Sequence, residues 1–233
     1  MAAQLILPMG VDETPGLDNF IAGPNENLLT FLTQQLKLRA SGRQEAYAGS
    51  FIWGASGAGK SHFLVAMSQW VKQNSGKPVW LEPGHIWMPR SGGALNRVYL
   101  LDDMENFIVD AAAQRQFLTL IERIKQQKSM LLMMAGQPVK QLGISLADLS
   151  SRLQAMECFE LQALGEHDKK EVLRQRARQR GILLGDDVLN WLFTHATREL
   201  GVLLDLLDRV DVQSLSQKRK VTIPLIKSIL DDD

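Results

Sequence analysis

Short apolar runs alternate with helical patterns through the first two thirds of this 233-residue chain. Apolar runs predict strands at 50–53, 78–81, 97–101, 129–134 and 156–161. Between two of them, residues 111–128 carry apolar side chains at positions i, i+3, i+4 and i+7, which predicts an amphipathic helix. Alternation of strand and helix predicts an α/β fold whose parallel five-stranded sheet is covered on both faces.

The pattern changes near residue 164, where the strands stop and helical periodicity continues. Helices are predicted at roughly 166–180, 187–196, 198–215 and 223–230. We therefore expect an α/β nucleotide-binding base over residues 14–163 and a small α-helical lid domain over residues 164–233. Residues 1–13 contain Pro8 and Gly10 and lack a helical pattern, so they are expected to form a flexible leader.

Composition favours a protein of the reducing cytosol. The 26 Lys and Arg residues equal the 26 Asp and Glu residues, so no overall field attracts nucleic acid or membrane. No apolar stretch approaches the ~20 residues that span a bilayer, and the N-terminus lacks the basic region of a signal peptide. We expect a cytoplasmic protein with no membrane partner.

Two local features need an interpretation of their own. The single cysteine, Cys158, excludes an internal disulfide framework and is expected to be a small buried residue of an apolar run. The basic cluster at 218–220 is interpreted as a solvated loop, with DNA contact as the alternative.

Residues 54–61 read Gly-Ala-Ser-Gly-Ala-Gly-Lys-Ser, a complete phosphate loop between a predicted strand and a predicted helix. Lys60 is expected to reach the β- and γ-phosphates of a nucleotide, and the Ser61 hydroxyl to coordinate Mg²⁺. Backbone N–H groups of the loop would surround the phosphates at the positive end of the helix. The remaining nucleotide-binding residues of this segment are Gly54, Gly57, Ala58, Gly59 and His62.

Two carboxylates, Asp102 and Asp103, follow the apolar run at 97–101. A carboxylate at the end of a buried strand needs a compensating partner, because desolvating a charge is costly. Asp102 is placed to hold the Mg²⁺ that Ser61 also contacts, and Asp103 could act as general base toward a water. A helix cap or turn signal is the alternative for both residues.

At this point the chain resembles a family. Residues 14–25 are similar to the N-terminal box of the bacterial replication initiator DnaA and its AAA+ relatives, which implies an adenine pocket lined by Phe20 and Ile21. Residues 54–64 resemble the phosphate loop of that family, and residues 100–105 its Walker B strand.

Three further motifs follow in the order of the family. Residues 134–138 lie where it carries sensor 1, residues 149–153 resemble its arginine-finger motif, and residues 197–200 look like its sensor 2 helix. The resemblance implies that Arg198 senses the phosphates of a bound ADP or ATP. Gly136-Gln137 departs from the sensor 1 pattern by lacking an acid or hydroxyl, which puts independent hydrolysis in doubt. Leu17 stands where relatives often carry an aromatic residue of the adenine pocket.

The leader and the C-terminus narrow the choice among the branches of this family. No helix-turn-helix for DNA is expected at the C-terminus, and Gln4-Leu5-Ile6-Leu7-Pro8 resembles the peptides that dock on the β sliding clamp of DNA polymerase III. Leu5 and Leu7 would fill apolar pockets, and Gln4 would make an orienting hydrogen bond. A frayed apolar terminus is the alternative.

The combination is similar to the regulatory branch of the DnaA family that inactivates the initiator on DNA-loaded clamps. The resemblance implies a negative regulator of replication initiation, in which Arg152 acts as a trans arginine finger on DnaA-bound ATP. DnaA and the clamp would be partners, DNA would be met only through the clamp, and a homo-oligomer is possible. The protein's own ADP would be mainly structural, with weak intrinsic hydrolysis. Arg152 could instead pair with Glu157 or cap a helix from its expected place on a loop.

Three alternatives remain at this stage. One is a helicase loader of the DnaC or IstB type, which is also a clipped DnaA-like AAA+ module. Another is a stand-alone P-loop ATPase with a target outside replication. The third is a non-enzymatic adaptor that recruits DnaA to the clamp, with its nucleotide purely structural.

Overall fold

The structure is a computed structural model that describes residues 16–17, 20–43, 46–74, 76–83, 97–217 and 221–231. The chain divides into two compact units: one runs from Pro15 to Ala163, and the other contains Leu164–Asp233. The predicted leader, with Gln4, Leu5, Leu7 and Pro8, lies outside the described residues, as does the basic cluster at 218–220.

The first unit is built on a five-stranded sheet in which every paired strand is parallel. Its strands are β1 (Ala48–Trp53), β2 (Val79–Trp80), β3 (Val98–Leu101), β4 (Met130–Ala135) and β5 (Glu157–Glu160). Their spatial order is β2-β3-β4-β1-β5. This topology confirms the predicted parallel sheet, and each strand lies within two residues of its predicted position.

The central strands bring three chain segments to one edge of the sheet. Strand β4 is entirely buried and lies between β3 and β1, with Leu101 opposite Met133 and Trp53 opposite Ala135. Because the three strands are parallel, the segments that follow Leu101, Ala135 and Trp53 all leave the carboxyl edge of the sheet. Ligands of open α/β sheets bind at this edge.

Four helices cover the two faces of the sheet: α1 (Glu26–Ala40), α2 (Lys60–Asn74), α3 (Ala111–Gln126) and α4 (Ala147–Gln154). Helices α1 and α2 pack with Leu100 of β3 on one face, whereas α3 and α4 pack with Tyr99 and Leu101 on the other. This alternation follows from the two-residue period of a strand. Helix α1 was not among the predicted elements.

The described secondary structure of the second unit is all helical, and the unit has its own apolar core. It comprises α5 (Glu166–Gln179), α6 (Asp186–His195), α7 (Leu200–Gln217) and α8 (Ile223–Asp231). Gly181 follows α5 at a φ of +72°, a left-handed conformation that glycine adopts without steric cost. The predicted small helical domain is confirmed. Within the described ranges, no helix has both the length and the apolarity needed to cross a bilayer.

The expectation that Cys158 is buried was wrong. Cys158 lies in β5, where three of the four side chains, including Cys158 itself, are exposed. Strand β5 is last in the strand order and, among the described strands, pairs with β1 alone, so it is an edge strand. The apolar run predicted the strand but carried no information about whether its position was central or at the edge.

Candidate functional site

The phosphate-loop segment leaves the carboxyl edge of the sheet between β1 and α2. The N–H of Gly54 donates a hydrogen bond of 3.1 Å to the carbonyl of Ala135, which ties the first loop residue to the end of β4. Gly57 and Gly59 have φ values of +75° and +92°, in the left-handed region that favours glycine. The loop can therefore curl back and point its N–H groups toward a common centre at the start of α2.

Gly54 is required for a different reason, which is a close approach of two chain segments. A Cβ at this position would lie 2.5 Å from the carbonyl oxygen of Leu161, and real Cβ atoms do not come that close to a backbone oxygen. Leu161 immediately follows β5, and its N–H donates to the carbonyl of Trp53. The segment after the last strand therefore closes against the first loop residue.

Lys60 is the first residue of α2 and curls back over the loop. Its ammonium donates hydrogen bonds to the carbonyls of Gly54 and Ala55, at 2.9 Å and 3.1 Å. The charge of Lys60 is thereby held beside the loop N–H groups, at the positive end of the α2 dipole. Ser61 and His62 are exposed in the same helical turn, whereas Ala58 is buried beneath the loop.

The two predicted acids follow β3 directly. The Asp102 carboxylate is half-buried and accepts a hydrogen bond of 3.1 Å from the N–H of Asp103. Among the described side chains, none forms an ion pair with Asp102, so the carboxylate remains available to a cation. Asp103 is exposed and has a φ of +46°, an uncommon conformation for a residue other than glycine.

Glu105 is a residue of this edge that the sequence analysis did not single out. Its carboxylate accepts a hydrogen bond of 2.6 Å from the N–H of Gly136, the residue after β4. Met104 between the acids is fully buried and anchors the turn. The segment that resembles sensor 1, which lacks an acid of its own, is thus contacted by a carboxylate from the neighbouring strand end. The only sequence signal was a third acid within four residues.

The predicted adenine-pocket residues lie beside the start of α2. The Phe20 ring stacks on His62 with centroids 5.7 Å apart, and it meets the edge of Phe63 at 5.2 Å. Ile21 is half-buried next to it, and Leu17 packs against the α1–α2 core. The structure therefore brings Phe20 to the helical turn that carries Ser61.

Arg152 lies in the last turn of α4, and the expectation that it sits on a loop was wrong. Its side chain is 47% exposed, and its Nε is 3.0 Å from Oε1 of Glu122 on α3. The proposed alternative partner Glu157 does not form this ion pair. A cation in the last turn of a helix is also stabilised by the helix dipole, so the helix-end role considered above applies.

Helix α4 is fixed against α3 at both ends. Leu149 and Leu153 of α4 are fully buried in the α3-side core. At the start of α4, Oε1 of Gln114 accepts hydrogen bonds from the N–H and hydroxyl of Ser145 and from the N–H of Leu146, at 3.0–3.1 Å. The ion pair of Glu122 and Arg152 joins the other end. The helix that carries Arg152 is therefore held rigidly in the α/β unit.

Arg198 lies in the helical unit, in the turn that precedes α7. The predicted helix began at residue 198, but α7 starts at Leu200, so Arg198 is not a helical residue as expected. Its side chain is exposed, and its carbonyl accepts a hydrogen bond of 2.8 Å from the Lys169 ammonium. Thr197 explains the late start, because its hydroxyl accepts a hydrogen bond from the Glu199 N–H before the helix begins.

Residues 166–230 match the family described as "Hda, lid domain". The whole chain is similar to domain III of the replication initiation protein DnaA from Thermotoga maritima, with a TM-score of 0.74 and 18% identity, covering 93% of this chain and 95% of that one. The lid region is therefore similar to that of Hda, and the chain has the fold of DnaA domain III. The resemblance and the fold class predicted from the sequence are thereby confirmed.

Two other solved structures share the fold. AMPPCP-bound DnaA from Aquifex aeolicus matches with a TM-score of 0.65 and 18% identity, covering 83% of this chain and 64% of that one. The RuvB Holliday junction branch migration motor of Thermotoga maritima matches with a TM-score of 0.66 and 16% identity, covering 93% and 71%. The fold is therefore shared by AAA+ proteins with different tasks, and function must be argued from the site.

Proposed function

We propose that this protein is a negative regulator of replication initiation that stimulates hydrolysis of ATP bound to DnaA while docked on the DNA-loaded sliding clamp. The match of its lid to the Hda family supports a regulator rather than an initiator. The observation that carries the proposed chemistry is Arg152, half exposed at the end of a helix that is fixed at both ends. Placed against the ATP of a neighbouring DnaA, its guanidinium would stabilise charge on the transferred phosphoryl group.

The protein's own nucleotide is proposed to be ADP, with ATP as the other possible ligand. A nucleoside diphosphate suits this arrangement. The space beside Gly57 and Gly59 is open, and the Lys60 ammonium would contact the phosphates. The ring of Phe20 would contact the base. Ser61 and Asp102 would hold Mg²⁺, which would neutralise phosphate charge there. Asp103 would orient water in a weak intrinsic hydrolysis.

Two further assignments complete the proposal. Arg198, exposed before α7, would sense the phosphates of the bound nucleotide. Gln4, Leu5, Leu7 and Pro8 would dock on the β sliding clamp as an extended peptide, and DNA would be met only through the clamp. A homo-oligomer is compatible with both.

A non-enzymatic adaptor is the second candidate, and the ion pair of Arg152 with Glu122 favours it. That pair gives Arg152 a role in fixing α4 that needs no second protein. An adaptor would bring DnaA to the clamp and leave the chemistry to DnaA itself.

The test is the rate of ATP hydrolysis by DnaA with DNA-loaded clamp, measured with and without this protein. Arg152→Lys keeps the charge beside Glu122 but loses the planar fork, so we expect stimulation to fall at least ~10-fold by analogy with other arginine fingers. Arg123→Lys, which changes an exposed arginine of the last turn of α3, is the matched control and should stimulate like the unchanged protein. Full stimulation by Arg152→Lys and by Arg152→Ala would favour the adaptor.

Clamp docking is tested separately. Gln4→Ala combined with Leu5→Ala should abolish binding to immobilised clamp in surface plasmon resonance while ADP affinity stays unchanged. Unchanged clamp binding would instead favour a helicase loader of the DnaC or IstB type.

A further inference from the structure

Glu122 and Arg152 form an ion pair in which the carboxylate oxygen that meets the guanidinium is buried. Oε1 of Glu122 lies 3.0 Å from Nε of Arg152. That oxygen is buried and has no hydrogen bond of normal geometry with any described residue. The guanidinium charge of Arg152 is therefore its electrostatic compensation, because an uncompensated buried carboxylate oxygen is strongly unfavourable.

The phenol of Tyr47 interacts electrostatically with both members of the ion pair. Burial raises the pKa of the Tyr47 phenol, the charge of Glu122 raises it further, and Arg152 opposes the shift, so all three groups lie within electrostatic reach. The Tyr47 hydroxyl is 3.8 Å from Sδ of Met156, and a Cβ on Gly49 would collide with that hydroxyl. This packing holds Tyr47 in place.

The contact is made by one edge of the guanidinium. Glu122 meets Nε, and no hydrogen bond or ion pair of Nη1 or Nη2 is found among the residues that the structure describes. An arginine bound at Nε keeps its two terminal nitrogens free as a fork. Such a fork matches two oxygens of a phosphate.

We propose that Glu122 is a positioning residue that orients Arg152 for end-on contact with a phosphate of a neighbouring protein's nucleotide. This inference rests on the proposed function, in which Arg152 acts in trans. A free arginine samples many rotamers, whereas an anchored Nε restricts them before the partner arrives. The benefit would appear in the rate of the bound complex rather than in its affinity, because binding and chemistry depend on different contacts.

The test compares two substitutions of equal length at position 122. Glu122→Gln keeps an oxygen near Nε but removes the negative charge, whereas Glu122→Met removes both the oxygen and the charge. Using DnaA-ATP and DNA-loaded clamp, we expect Glu122→Met to lower the maximal stimulated rate about 10-fold, with the half-saturating concentration of this protein unchanged. Glu122→Gln should recover only part of that loss, because the attraction to Arg152 depends on the negative charge. Glu171→Met, which breaks the 3.1 Å contact with Arg174 in the helical unit, is the control and should leave the rate unchanged.

The outcomes separate this proposal from the proposed function. If Arg152→Lys abolishes stimulation but Glu122→Met stimulates fully, the positioning role is wrong and the arginine finger stands. A faster rate for Glu122→Met would also overturn it, because Glu122 would then restrain Arg152 rather than orient it. If Arg152→Lys has no effect, the proposed function itself fails.

A measurement on the unchanged protein tests the positioning role even if the variants do not fold. Nitrogen relaxation of the arginine Nε–H groups should give a higher order parameter for Arg152 than for the exposed Arg123. Equal disorder of the two side chains would overturn the proposal without any substitution.

Discussion

The side-chain amide of Asn25 pairs with the backbone of Gln162, 137 residues further along the chain. Its Nδ2 donates to the Gln162 carbonyl at 2.9 Å, and its Oδ1 accepts from the Gln162 N–H at 2.8 Å. Asn25 is only 5% exposed and directly precedes α1. The pair therefore ties the beginning of the α/β unit to the segment that follows β5, beside the closure of Leu161 on Gly54.

We expect replacement of Asn25 to destabilise the α/β unit. Asn25→Ala loses both hydrogen bonds and leaves a backbone N–H and carbonyl of Gln162 without these partners, which should lower the free energy of unfolding by about 1–3 kcal/mol. Asn25→Asp should be no better, because a carboxylate cannot donate to the Gln162 carbonyl. Urea denaturation measures the change. Asn27→Ala, at an exposed position of the first turn of α1, is the control. Equal stability of the Asn25 and Asn27 variants would contradict this assignment.

The sheet was predictable because its strands are short apolar runs that end at polar residues, glycine or proline. Helix α1 was missed, although Leu28, Leu32 and Leu36 are buried along one stripe of it. Leu29 and Phe31 pack against the same core, so the helical periodicity was present in the sequence but was not used. The start of α7 was predicted two residues early because the hydroxyl of Thr197, rather than hydrophobic periodicity, determines the turn before it.

The part of the site formed by consecutive residues could be predicted from the sequence, whereas the contacts between distant residues could not. The loop of residues 54–61 needs glycines at left-handed positions, and these appear in the sequence itself. The contact of Glu105 with Gly136 and the contact of Glu122 with Arg152 each span about thirty residues, with no periodic signal between the partners. Such pairs depend on how the strand ends and helices meet, which a pattern of single residues does not contain.

Two glycines should respond oppositely to alanine. At Gly54 the new Cβ would lie 2.5 Å from the Leu161 carbonyl oxygen, so the loop or the β5 segment must move. We expect Gly54→Ala to lower the free energy of unfolding by about 1–3 kcal/mol, the usual range for overpacking. ADP binding should weaken as well, because the loop begins at this residue.

Gly201 of α7 provides the comparison. No atom lies within 4 Å of a Cβ built there, so Gly201→Ala should raise the free energy of unfolding by about 0.4–1 kcal/mol through reduced entropy of the unfolded chain. Thermal and urea denaturation of both variants measure the two signs. If Gly54→Ala left the free energy of unfolding unchanged, the segment after β5 would be able to move away from the new Cβ without loss of stability.

Cys158 should react slowly despite its exposure. Partial burial of the thiol raises its pKa, and the neighbouring Glu157 raises it further. Because the thiolate is the nucleophile, its fraction near neutral pH is lower than that of an unperturbed cysteine. The reaction rate with a disulfide reagent should therefore keep rising with pH beyond the ordinary cysteine pKa of about 8.5.

The chain contains one cysteine, so the reaction of Cys158 can be followed without interference from other thiols. Glu157→Gln removes the neighbouring negative charge and should increase the rate near neutral pH. Cys158→Ser gives the background. A rate that levels off below the ordinary cysteine pKa, or no response to Glu157→Gln, would show that the environment of the thiol differs from the one described.

Lys60 provides the sharpest test of nucleotide binding. Its ammonium is held over the loop by the carbonyls of Gly54 and Ala55. Lys60→Ala removes a charge-assisted contact, and we expect ADP affinity to fall by about 2 kcal/mol in isothermal titration calorimetry. Lys72→Ala, an exposed lysine in the last turn of α2, keeps the loop intact and should bind ADP unchanged. ADP should also bind more tightly than ATP if the nucleotide is structural. Tighter binding of ATP would contradict that role, and an unchanged ADP affinity of Lys60→Ala would exclude the loop as the phosphate site.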